Sequence, residues 1–68
     1  MLKFIFGYEI EKIEKVESYV RDNCSKYDYE CIVQRGEDVM NCLYIKSKCL
    51  NDELRQLLKD ADCYVERI

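Results

Sequence analysis

The chain has 68 residues, 49 % hydrophobic and 37 % charged, with two glycines and no proline, a composition that excludes disorder and suits one domain over 1–68. Its net charge of −3, with 14 acidic and 11 basic side chains interleaved, argues against a nucleic-acid partner, because phosphate binding rests on massed Lys and Arg. Folding at this size buries only roughly 60 % of the unfolded surface, so help from a disulfide, a metal or a second chain is expected.

The amino end, MLKFIFGYE, has no apolar core of a secretory leader, and no stretch approaches the ~20 apolar residues of a membrane helix. A cytoplasmic location without membrane contact is the resulting expectation. Residues 2–8, LKFIFGY, suit a first strand, with Leu2, Phe4 and Phe6 on one face and Lys3 and Ile5 on the other; Gly7 breaks the run. Residues 9–25 carry Ile10, Ile13, Val16, Val20 and Cys24 at helical spacing. Glu11 with Lys15 and Glu17 with Arg21 form i,i+4 pairs on the solvated side of that helix.

A β-hairpin follows, with strands 27–34 and 39–48 around Arg35-Gly36-Glu37-Asp38. The stretch 51–61 is a second helix, capped by Asn51 and buried through Leu54, Leu57, Leu58 and Ala61. The last residues, 63–68, read as a short fourth strand, although Leu54, Leu58, Ala61, Val65 and Ile68 also continue a helical stripe. The order β-α-β-β-α-β is that of an α+β, ferredoxin-like sandwich with an antiparallel sheet and both helices on one face. The alternative is β-α-β-β-α with a longer C-terminal helix.

The hairpin has apolar side chains on both faces. Tyr27, Tyr29, Cys31 and Val33 are assigned to the core. On the partner strand Val39, Leu43 and Ile45 compete with Met40, Cys42 and Tyr44, and a one-residue slip exchanges the two sets. The more apolar first set is assigned inward. Ile5, Ile32, Met40, Cys42, Tyr44 and Tyr64, with Ile68 beside them, then share a face that no helix covers. An apolar patch of that kind on so small a protein marks a partner-binding surface, for a protein partner or a second copy in a homodimer.

Five cysteines, an odd number, occur without any C-x-x-C spacing, and histidine is absent. Free thiols serving as small buried hydrophobes are the plain reading. With an even-length turn Cys31 and Cys42 would face each other across the hairpin, close enough to oxidise.

No catalytic motif is present: no histidine to activate a nucleophile, no glycine-rich phosphate loop, no G-x-S-x-G. Carboxylates such as Glu37, Asp38, Asp60 and Asp62 fall at turns and helix ends, where solvation accounts for them. Families with this element order carry signatures that are missing here. Gly7-Tyr8-Glu9 stands where heavy-metal-associated domains have C-x-x-C, and VMNCLYIKSK does not match the aromatic run of RNA-recognition motifs.

The expectation is a small, non-catalytic, cofactor-free protein-binding module that occludes or modulates a partner through its open sheet face. Size and acidity suit an inhibitor of a host factor encoded by a virus or mobile element. The alternative from a different class is a cysteine-based metal-binding or redox-responsive protein using Cys31, Cys42 and Cys63.

Overall fold

The computed structural model describes residues 1–7, 10–33 and 40–67. Four strands and two helices alternate as β1 (Leu2–Gly7), α1 (Ile10–Asn23), β2 (Tyr29–Ile32), β3 (Asn41–Ile45), α2 (Asp52–Asp60) and β4 (Tyr64–Arg67), with a 3₁₀ turn at Ser47–Cys49 before α2. The C-terminal segment is therefore a strand. The class is α+β, with one four-stranded sheet in the order β2-β3-β1-β4 and every neighbouring pair antiparallel. It follows that β1 runs parallel to β2, and β3 to β4. Each helix crosses over between parallel strands that are separated by one antiparallel neighbour.

Alternation on the strands decides the layers. Leu2 faces Ile45 and Phe4 faces Leu43 across the central β1–β3 pair, while Tyr29 and Cys31 face Ile45 and Leu43 from β2. Phe4, Phe6, Leu43 and Ile45 are buried together with Ile13, Val16 and Val20 of α1 and Leu54, Leu58 and Ala61 of the α2 segment. Both helices thus cover one face of the sheet, each through the stripe that its three- and four-residue spacing creates. The expected Glu17–Arg21 pair closes at 3.8 Å along α1, with Glu17 half-buried beside Cys31 and Arg21 exposed.

Helix ends follow local chemistry. The Asn51 side chain accepts the Leu54 backbone N–H at 2.7 Å, which fixes the start of α2. The helix stops at Asp62, whose φ of +53° lies in the left-handed region. Gly7 has a φ of +75° and sits at a bulge, where β1 inserts one extra residue between the Ile5–Cys42 and Gly7–Asn41 pairings. Asn41, fully buried, donates from its Nδ2 to the Gly7 carbonyl at 3.1 Å and holds the bulge closed.

Two expectations need correction. Tyr27, assigned to the core, is 76 % exposed. The Asp28 N–H donates to the Ser25 carbonyl at 2.9 Å, and this turn starts β2 two residues late and keeps Tyr27 off the sheet. The second hairpin strand ends at Ile45 rather than 48, because Cys49 N–H to Lys46 O (3.0 Å) and Leu50 N–H to Ser47 O (3.1 Å) close a 3₁₀ turn. The assigned register holds: Cys31 pairs with Leu43, and Cys42 with Ile32, so Cys31 and Cys42 lie on opposite faces of the sheet, as the inward set of Leu43 and Ile45 requires. The turn at 35–38, Val39 and Ile68 lie outside the described residues.

Two substitutions test this account by urea denaturation. Leu54→Ala, at a fully buried position between sheet and helices, is expected to cost about 2–5 kcal/mol. Asp62→Gly is expected to gain about 0.5–1 kcal/mol by removing the side chain from a left-handed position, and a loss would show that the Asp62 side chain stabilises the helix end.

Candidate functional site

The register lays two rows of side chains across the face that the helices leave open. Ile32, Cys42, Ile5 and Tyr64 are successive cross-strand partners from β2 to β4. They form one apolar row crossing all four strands. Beside it, Glu30, Tyr44, Lys3 and Glu66 are partners in the same sense and form a polar row.

Exposure within the apolar row is uneven. Tyr64 is 79 % exposed on the edge strand, and Met40, just before β3, is 49 % exposed. Ile5 and Ile32 are half-buried, whereas Cys42 is only 7 % exposed because its short side chain sits between two isoleucines on the neighbouring strands. Cys42 is thus part of the floor of this surface. It is buried without belonging to the helix-side core.

The polar row is internally paired at its centre. The Lys3 ammonium lies 5.6 Å from the centroid of the Tyr44 ring and 3.8 Å from a Glu66 carboxylate oxygen. Contact with the Tyr44 hydroxyl, reinforced by the Glu66 charge, raises the Lys3 pKa above its ordinary value. Glu30, at the other end of the row, is exposed.

Of the residues that the sequence assigns to partner binding, Ile5, Ile32, Cys42, Tyr44 and Tyr64 come together on this face through the pairings, and Met40 is exposed at the entrance to β3. The sequence reading did not single out Lys3, Glu30 and Glu66 as members of the same surface. Strand alternation places Lys3 beside Ile5, Glu30 beside Ile32 and Glu66 beside Tyr64, but only the pairing of β2 and β4 with the central strands aligns them in one row.

The thiols proposed for metal or redox work are dispersed. Cys31 faces α1, where burial, with the nearby Glu17 carboxylate adding to it, pushes its pKa up to about 12. Cys63 donates its S–H to the Leu58 carbonyl at 3.3 Å, and burial raises its pKa too. Among the described residues no group of three or more Cys, Asp or Glu is arranged to hold a metal ion. No helix of the described residues is long and apolar enough to cross a membrane.

A groove of about 390 Å³ runs between the helices, lined by Glu11, Lys12, Lys15, Leu57, Asp60 and Ala61. Its rim mixes both signs of charge and its floor offers only Leu57 and Ala61, so it presents no convergent set of groups for chemistry. No protein-family model matches the chain, and neither a curated protein nor a solved structure matches it.

Asp28 clamps the start of β2 to the end of β3. Its carboxylate oxygen lies 3.4 Å from the Lys46 ammonium and 3.5 Å from that of Lys48. Burial works to raise its pKa, but the two lysines outweigh that and hold it below the usual 3.8. A depressed carboxylate pKa adds stability above the unfolded value and loses it as pH falls through the folded one. Acid titration of the thermal midpoint is therefore expected to show a decline below about pH 4 that is shallower in Asp28→Asn. An identical acid limb in both proteins would show that the clamp adds nothing.

Proposed function

We propose that the chain is a non-catalytic protein-binding module that occludes or modulates a partner protein through its open sheet face. The observation that carries this reading is the apolar row of Ile32, Cys42, Ile5 and Tyr64, which crosses the whole sheet opposite both helices. The four-strand order, with two crossovers that each skip one strand, supports a ferredoxin-like classification, in which one sheet face is left for recognition. A cytoplasmic setting, and origin as a small inhibitor encoded by a virus or mobile element, fit the size and charge of the chain.

The face also limits what fits on it. Three strand spacings make the row about 14 Å long, the length of an α-helix of roughly ten residues. Glu30 and Glu66 stand on the two edge strands, beside the ends of the apolar row. A partner surface that is apolar at its centre and carries Lys or Arg at its flanks matches this arrangement. A second copy offers the apolar component but sets glutamates near glutamates, so a hetero-complex is favoured over a homodimer.

The test compares the wild-type chain with Met40→Ala/Tyr64→Ala as immobilised bait, after light scattering over a concentration range has established the native mass of each. Both side chains are exposed, so the double variant is expected to keep its thermal midpoint within a few degrees. Loss of the two most exposed apolar side chains of this face is expected to weaken capture of the partner by about 30-fold or more. Equal binding by both baits would remove the open face as the binding surface.

A further inference from the structure

The end of α1 and the α1–β2 connection are stitched to the β3–α2 connection at two places. At one side the Tyr19 hydroxyl of α1 accepts from Asn51 Nδ2 at 3.1 Å. At the other side the Lys46 N–H donates to the Asp28 carbonyl at 3.0 Å, next to the Asp28–Lys46 and Asp28–Lys48 ion pairs. Between these stitches lie Cys24, one residue past the end of α1, and Cys49, at the end of the 3₁₀ turn. Cys24 is set by its N–H to the Val20 carbonyl at 2.8 Å, and Cys49 by its N–H to the Lys46 carbonyl at 3.0 Å. Both side chains are half-buried against the edge of the core, and the stitches on either side make the two cysteines neighbours across the seam.

We propose that Cys24 and Cys49 are a redox pair that closes to an intramolecular disulfide by exchange with a low-molecular-weight disulfide and reopens on reduction. One of the two, as thiolate, attacks a sulfur of the small disulfide, breaking its S–S bond, forming a mixed disulfide and releasing one small thiolate. The other cysteine, as thiolate, attacks the protein-bound sulfur of the mixed disulfide, forms the Cys24–Cys49 bond and releases the second small thiolate. Two protein thiols are oxidised, one small disulfide is reduced to two small thiols, and the two protein protons end on them. The bond ties the C-terminal end of α1 to the connection between β3 and α2.

The remaining thiols are not placed for this reaction. Cys31 and Cys42 lie on opposite sheet faces, and Cys63 is engaged with the Leu58 carbonyl. Burial and the adjacent Cys49 raise the Cys24 pKa, so closure is expected to quicken as pH rises above neutrality. The open sheet face takes no part in any of these contacts.

The experiment incubates the reduced, native chain with glutathione disulfide and follows intact mass, non-reducing tryptic peptides and the thermal midpoint. Cleavage after Lys and Arg puts each of the five cysteines on its own peptide, with Cys24 in 22–26 and Cys49 in 49–55. The expected result is a monomer lighter by two hydrogens, with 22–26 linked to 49–55. Its midpoint is expected to rise by about 10 °C or more, since the bond closes a loop of moderate length. Reductant reverses the change, Cys24→Ser and Cys49→Ser abolish it, and Cys31→Ser and Cys63→Ser retain it. A persistent glutathione adduct on Cys24 or Cys49, a link through any other cysteine, or disulfide-joined dimers would each overturn the proposal.

Discussion

The register between β1 and β3 is the constraint on which the rest of the molecule depends. These are the two central strands, and setting Phe4 opposite Leu43 and Leu2 opposite Ile45 fills the helix side of the sheet with large apolar groups. The same register sends Ile5 and Cys42 to the other side. A slip of one residue would exchange the sets and leave α1 and α2 facing Cys42 and Tyr44. The pin against such a slip is Asn41. Its amide is fully buried, and its bond to the Gly7 carbonyl forms only where the bulge in β1 comes opposite it. Losing that bond to a register shift would strand a buried polar group, at about 1–3 kcal/mol.

Because one face of the sheet receives both helices, folding and the proposed recognition draw on different side chains. The core takes Ile13, Val16, Val20, Leu43, Ile45 and Leu54, all without solvent exposure. The outermost side chains of the open face add little to the fold: Tyr64 remains largely in water and Met40 is half-exposed. An exposed sheet invites pairing with other chains, and charge on the edge strands opposes it. Glu30 lies on β2 and Glu66 on β4, where unpaired backbone would otherwise be a template. The same two glutamates border the apolar row, so protection of the edges and, in the proposed function, selection of a partner rest on shared residues.

Much of this was legible in the chain because the informative residues act locally. Ile13, Val16 and Val20 repeat at helical spacing, Asn51 stands one residue before two acids, and Leu43 and Ile45 outweigh Cys42 and Tyr44 as candidates for burial. What escaped the sequence depends on contacts between distant segments. Tyr27 belongs by alternation to the inner face of β2, yet a turn anchored at Ser25 removes it. Residues 46–48 continue the strand pattern, but the Asp28 carboxylate draws Lys46 and Lys48 toward the start of β2 and the chain curls into a 3₁₀ turn. Asn41 reads as an ordinary polar residue until the bulge at Gly7 supplies its acceptor. Cys24 and Cys49 are 25 positions apart in the sequence, and only the crossovers bring them together.

The contacts that the sequence hides are concentrated where the two halves of the fold meet. The first half, β1-α1-β2, and the second, β3-α2-β4, are each a crossover unit whose strands are separated by a strand of the other. Neither half holds a complete sheet alone. The central β1–β3 pairing joins them through the core, and the stretch from Tyr19–Asn51 through Cys24–Cys49 to Asp28–Lys46 joins them at the periphery. In a chain too small to bury a generous core, that peripheral seam is a natural place for a covalent bond to act. It limits the separation of the halves in the unfolded chain, where a cross-link has most of its effect. The open face lies on the far side of the sheet from the core that both helices share, so a change at the seam alters how firmly the platform is held without altering the surface it presents.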